Sequence, residues 1–468
     1  MMRAHLVVER LCKHNIIEGR DRKLIILGGG VAGTVAALSA VKRGVDVWLV
    51  ESKDGVMRTQ MRSNRRIDSA EYDWPQDHWD KAAALWDKGT IPLEYIGGRA
   101  NALAAVWESV FDDWVDEGIA GKLAPGKGNI NFISGVDAND FAFEDARTAH
   151  GDGVSAYRRR SPRDSTFFGA AISCIGFSGE KVEVASSHGT FKGYEFWGSD
   201  PFEEPTLGLT LKPDEKIHVL LSGGGDGAQQ DFQRALTGKF GLELYRDMAP
   251  YLPDTLDLLK SVLAEDAARR AFAWRYERQP LPDALDAWHV AYADMVDDVW
   301  KAISGVKRDE LAKAVLTRPY VQATWMVGGA TPDFCYGLNR FLTLLLAKLH
   351  AEYSVPKRST ISEPLVDDTF PAPTDEVIVL GHWVQSVEVK GGTLNRSSSG
   401  LHTCGDPKRC LGVEHFVQVA AKLDAPIGYP RTRLGPFEAL VIRHGVDQTP
   451  FFAKAPISEQ IVPFKLPA

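Results

Sequence analysis

The sequence predicts an α/β fold made of two parallel βαβ units with a helical insertion. Three observations carry that prediction. First, "KLIILGGGVAGTVAALSAVKRGVDVWLVES", Lys23 to Ser52, runs from a hydrophobic strand through a triple-glycine turn into a helix of small residues and a second strand. Second, "KIHVLLSGGGDGAQQDFQRALTGKFGLELYRD", Lys216 to Asp247, repeats the strand and the triple-glycine turn. Third, Met248 to Leu316 is rich in helix-forming residues at helical spacing, as in "DALDAWHVAYADMVDDVWKAIS". The expected organisation is an N-terminal extension over 1–22, a first unit over 23–215 and a second over 216–468. The helical insertion occupies about 248–316.

The other elements follow from pattern and punctuation. "NALAAVWESVFDDWVDEG" (Asn101 to Gly118) has apolar residues at helical spacing and predicts an amphipathic helix. "FFGAAISCIGFSGE" (Phe167 to Glu180) predicts a buried strand ending at glycine, and "FEALVIRHG" (Phe437 to Gly445) another. "EVIVLGHWVQSVEVKGG" (Glu376 to Gly392) alternates as strand, turn and strand, and "FLTLLLAKLH" (Phe341 to His350) predicts a buried helix. Each half therefore opens on a strand with a glycine turn and closes on a strand with a glycine, which is a coarse internal repeat. In the second half "LELYRD" is expected to be the next strand, with Arg246 at its end.

Composition sets the class. The chain has 468 residues, of which 44% are hydrophobic and 25% charged, as in a soluble globular protein of two or three domains. A formal charge of −8 argues against nucleic acid as a partner, because phosphate binding needs a basic footprint. The basic clusters Arg62 to Arg66 and Tyr157 to Arg163 read as solvated loops. The N-terminal residues lack the apolar core of a signal peptide, and no run approaches the roughly 18 apolar residues that cross a bilayer. Five cysteines, an odd number, fit a reducing, cytoplasmic compartment.

The first glycine turn carries the clearest chemistry. Gly28-x-Gly30-x-x-Gly33 directly follows Leu24 to Leu27, with Val31 and Ala32 inside the motif. One glycine permits the tight turn, one lets backbone approach a pyrophosphate, and one allows close helix–strand packing. The free N–H groups of the helix start then face the phosphates. Glu51 ends the second strand 21 residues after Gly30, followed by Ser52; an acid there suits ribose hydroxyls and disfavours a 2′-phosphate. The alternative is a purely structural turn.

With these residues the chain resembles the FAD-binding domain of two-dinucleotide-domain flavoproteins, which include the pyridine nucleotide–disulfide reductases and the flavin-containing monooxygenases. The resemblance implies two Rossmann-like units. It implies FAD on the first turn, its ribose held at Glu51, and a return strand at "AAISCIGF", where Cys174-Ile175-Gly176 stands in place of Ala-Thr-Gly. "GGGDGA" (Gly223, Gly225, Asp226, Ala228) is similar to the NADPH turn of thioredoxin-reductase-like members. Arg246, 21 residues after Gly225, would meet a 2′-phosphate. The alternative for this second site is a domain kept for packing. There are departures. No C-x-x-C occurs, which argues against a disulfide reductase. The Gly-Asp element that contacts the flavin chain is matched only by Asp406 in "GLHTCGDP", on the wrong side of the last strand. The segment Met248 to Leu316 matches no part of the family.

Other residues complete the expected site. "YDWPQDHW" gathers Tyr72, Trp74, His78 and Trp79, with Trp74 a substrate contact and His78 an acid–base group, or else packing around Pro75. Trp325 and Arg340 line a substrate pocket in one reading, and Arg443 and His444, where a strand meets its ligand edge, are catalytic candidates or else helix-cap or core residues. His402, Cys404, Cys410 and His415 have the wrong spacing for zinc, so no metal is expected. The function expected is an FAD-dependent oxidoreductase on a small molecule, either an NADPH-using monooxygenase type or an oxidase type. The alternatives are an NAD(P)-dependent dehydrogenase without flavin and a non-catalytic nucleotide-responsive protein. No membrane partner is expected, and a homo-oligomer is compatible with the sequence.

Overall fold

The computed structural model describes residues 1–68, 91–93, 97–176, 178–186, 189–204, 207, 216–254, 257–262, 264–265, 282–329, 331–332, 335–353, 377–390, 401–403, 414–421 and 432–447. They form two units, Met1–Ser178 together with Asp447, and Gly179–Val446.

The first unit is built on short apolar runs that have no polar alternation, the mark of strands covered on both faces. β1 (Leu24–Leu27) is buried throughout. It pairs in parallel with β2 (Val47–Val50), Leu27 opposite Val50. β3 (Ile130–Ile133) adds to the far side of β2. One face of the sheet carries α1 (Met2–Lys13), α2 (Val31–Lys42) and α3 (Ala100–Ile119). The small residues of α2 let it lie close, and ten of its residues are buried. The extension 1–22 is tied to α2: His5 Nδ1 and Ser39 Oγ lie 2.9 Å apart, and Arg43 pairs with Glu9. As predicted, α3 is amphipathic, and its Phe111 meets Phe132 of β3 edge-on at 5.3 Å.

The other face is closed by an antiparallel sheet, β4 (Phe141–Thr148), β5 (Gly151–Arg158) and β6 (Thr166–Phe168). Ile25, Leu27 and Val50 pack there against Phe141, Phe143, Val154 and Phe168. The chain returns through β7 (Ala170–Ser173), parallel to β1. The parallel sheet has the order β3-β2-β1-β7. The return strand is half-covered rather than fully buried.

The second unit repeats this plan. After β8 (Glu183–Ser186) and β9 (Gly189–Lys192), β10 (Ile217–Ser222) is buried throughout and leads into α4 (Asp226–Thr237). The expected strand at "LELYRD" is instead a helix, α5 (Gly241–Met248). Leu242, Tyr245 and Met248 are buried at helical spacing, while Arg246 faces out. Four residues of alternation are too few to separate strand from helix. α6 (Pro282–Ala302) and α7 (Gly305–Val315) follow, within the predicted helical segment; the Ser304 hydroxyl accepts from the Lys307 N–H to start α7.

Only then comes the strand that pairs with β10: β11 (Val321–Val327), Ser222 opposite Met326. α8 (Gly337–Tyr353), β12 (Ile378–Leu380) and β13 (His382–Lys390) continue the chain, followed by β14 (Leu401–Thr403), β15 (Glu414–Ala421), β16 (Thr432–Phe437) and β17 (Ala439–Ile442). The parallel sheet is ordered β12-β11-β10-β17, and the second sheet β14-β9-β8-β13-β15-β16. Their shared core is Phe191, Leu220, Met326, Val384, Val417 and Leu440 with neighbours. Among the described residues no helix is long and apolar enough to cross a membrane.

Candidate functional site

The first glycine turn is fixed by contacts that no other residue type admits. Gly28 has φ +100°, and a Cβ on it would stand 2.4 Å from the carbonyl oxygen of Cys174. A Cβ on Gly33 would lie 1.8 Å from the Gly28 carbonyl oxygen. The Gly28 N–H donates to Val50 at 2.7 Å, and the Thr34 hydroxyl donates to the Gly29 carbonyl at 3.1 Å, so both ends of the turn are tied down. At Gly30, by contrast, an added Cβ would meet none of the described residues within 4 Å. The helix behind it has no side-chain cap and no acid in its first turn. Val31 is buried and Ala32 is exposed. Among the described residues this leaves a bare helix N-terminus, with its partial positive charge, facing open space.

Glu51 closes the side of that space. Its Oε2 accepts from the Gly29 N–H at 2.6 Å, and its Oε1 accepts from the Lys53 N–H at 2.8 Å and the Ser52 hydroxyl at 3.0 Å. Three donors hold the carboxylate in one orientation beside the turn. A carboxylate oxygen has more than one acceptor site, so Glu51 still offers positions to a vicinal diol. These residues fit the adenosine and pyrophosphate of FAD.

The second turn repeats the backbone of the first 195 residues on. Gly223 has φ +147°, and its Cβ would stand 2.1 Å from the Arg443 carbonyl oxygen, as Gly28 faces Cys174. The Gly223 N–H donates to Met326 at 2.9 Å, as Gly28 does to Val50. Gln229 donates to the Gly224 carbonyl at 3.1 Å, taking the place of Thr34. Gly225, like Gly30, faces open space among the described residues. Gly445 (φ +90°) repeats Gly176 (φ +73°) after the return strand.

The side chains around the second turn differ. If Met326 occupies the place of Val50, Val327 occupies that of Glu51, and it is fully buried. Arg246 was expected there; it lies on the exposed side of α5 because the segment is helical. Ala228 replaces Gly33 and is fully buried. Asp226 accepts from the Tyr336 N–H and from Asn339 Nδ2, both at 2.8 Å. Trp325 is fully buried, and its indole N–H donates to the Gly223 carbonyl at 2.7 Å.

Arg340 is fully buried too. It donates to the Cys335 sulfur at 3.4 Å, His289 Nδ1 at 3.3 Å and the Pro332 carbonyl at 3.1 Å, and stacks 4.7 Å from the Trp288 ring centre. Arg443 donates to Asp231 at 2.9 Å and to the Tyr194 carbonyl. His444 Nε2 lies 2.8 Å from the Ser222 hydroxyl, at the carboxyl end of β10 where such sheets receive ligands; burial lowers its pKa. Trp74, His78 and Asp406 lie outside the described residues. Among the described residues no group of three or more His, Cys, Asp or Glu side chains is arranged to hold a metal.

Sequence reading overlooked Thr34, Gln229 and Val327. Thr34 and Gln229 were recoverable by laying one motif on the other. Val327 was not, because the crossover that separates it from Gly223 is far longer than its counterpart in the first unit.

No family model matches the chain, and no curated protein matches it. Among solved structures it is similar to thioredoxin reductase of Lactococcus lactis, with 10% identity and a TM-score of 0.36 over 94% of this chain and 82% of that one. It is similar to bacillithiol disulfide reductase of Bacillus cereus, with 12% identity and a TM-score of 0.30 over 91% and 78%. It is also similar to OTEMO complexed with FAD and NADP, with 12% identity and a TM-score of 0.33 over 94% and 73%. All three are members of the two-dinucleotide-binding FAD/NAD(P) oxidoreductase superfamily.

Proposed function

We propose that the protein is an FAD-dependent oxidoreductase acting on a small molecule, with FAD held by the first unit. One observation carries the reading: the Glu51 carboxylate is fixed against the Gly29 N–H at 2.6 Å, beside an uncapped helix start that faces open space at Gly30. The N–H groups at the start of α2 receive the pyrophosphate, and Glu51 receives the ribose hydroxyls. FAD when bound supplies two-electron redox chemistry; the protein binds it, orients it and keeps water from it. The same acid suits the ribose of NAD, so an NAD-dependent dehydrogenase without flavin is the second reading.

The purified chain, supplemented with FAD and freed of excess, is expected to keep a flavin absorbance spectrum, with FAD recovered by mass spectrometry after denaturation. Glu51→Ala removes a charged hydrogen-bond acceptor and is expected to weaken FAD binding about 10- to 100-fold. A colourless protein that retains NAD in its place would overturn the flavin reading in favour of the second.

A further inference from the structure

The second glycine turn keeps the backbone of the first, but the residue at its ribose position is replaced and the acid in its first helical turn is engaged. At the ribose position stands Val327, fully buried, which offers nothing to a diol or to a 2′-phosphate. The arginine expected there, Arg246, lies on α5. At the phosphate position the first turn of α4 carries Asp226, whereas α2 has no acid there. The Asp226 carboxylate accepts from the Tyr336 N–H at 2.8 Å, at the start of α8, and from Asn339 at 2.8 Å. It thus sits at the N-terminal ends of two helices, the place where an anion is favoured.

We infer that the second turn holds neither NADPH nor NADH: its ribose position is a buried valine, and Asp226 makes the turn a clasp between α4 and α8. This inference does not depend on FAD in the first unit. It removes the nicotinamide donor that the resemblance implies and leaves the protein with one dinucleotide site.

The test is calorimetric titration of the FAD-supplemented full chain with NADPH and, separately, NADH. Gly225→Val serves as the control. Gly225 has φ −85°, which a valine adopts, and the added side chain would point into the open space a pyrophosphate needs. No saturable binding is expected up to about 1 mM of either nucleotide. Binding that persists in Gly225→Val also supports the inference, because the nucleotide then sits elsewhere. Binding in the parent that Gly225→Val abolishes overturns it. Asp226→Ala is expected to lower Tm by about 2–6 °C; an unchanged Tm overturns the clasp. Retention of flavin is read in the same samples against Gly30→Val, so failure of the FAD reading shows separately.

Discussion

Gly33 and Gly30 sit three residues apart in one motif and answer to different demands. Gly33 is a packing glycine: a methyl group there would lie 1.8 Å from the Gly28 carbonyl oxygen, so the helix would have to back away from the turn. Gly30 has φ −70° and open space before it, so its missing side chain serves a ligand rather than the fold. Gly33→Ala is therefore expected to destabilise the protein by about 1–3 kcal/mol, the usual cost of overpacking. Gly30→Ala is expected to leave the urea midpoint unchanged and to weaken FAD binding. Equal losses of stability in the two variants would refute this division. The motif was legible in the sequence because its glycine spacing is local, even though Gly28 meets the remote Cys174 carbonyl. Val327 was illegible because its place is set by pairing with a strand remote in the chain.

At the scale of elements, α4 defeats the usual reading of composition. Its sequence, DGAQQDFQRALT, is polar enough for a surface helix, yet ten of its residues are buried. Arg234 is held by Asp200 at 2.5 Å, Glu203 at 2.6 Å and Asp231 at 3.4 Å, and Asp231 also pairs with Arg443 at 2.9 Å. Gln233 donates to the Asn339 carbonyl and to the Thr343 hydroxyl of α8. Burial of these charges is tolerated because each one is partnered. Arg234→Leu would leave three buried acids without their shared cation and is expected to cost about 3–5 kcal/mol in urea unfolding; a loss below about 1 kcal/mol would mean that the network is dispensable. Neither this network nor the helical state of α5 was legible. Both depend on residues brought together by the fold, whereas the apolar runs of β1 and β10 declared themselves.

At the scale of the whole molecule, two units of identical strand order have diverged through one long crossover. Burial in both units leaves several histidines that fold in the neutral form. His350 in α8 is the clearest: its Nε2 accepts from the Ala323 N–H at 3.1 Å, and its other ring nitrogen is buried. Burial, with a smaller effect from the Lys216 charge, pushes its pKa down to about 4. His289 is pushed down to about 4 by burial and by Arg340, and burial lowers His5 and His444 as well. In each case the unfolded chain takes up a proton before the folded one does, so acid favours unfolding. The contribution is present in full above about pH 6.5, the unfolded value, and is lost as pH falls from there toward 4. For His350 alone the full loss is about 3 kcal/mol. The urea midpoint is expected to hold between pH 8 and 7 and to fall steadily from about pH 6.5 to pH 4.5. His350→Leu would start less stable at pH 7.5, because the Ala323 N–H loses its acceptor, but would show a shallower fall. If the parent kept its midpoint down to pH 4.5, or if the variant fell as steeply as the parent, His350 would not be one of the groups that tie this fold to neutral pH.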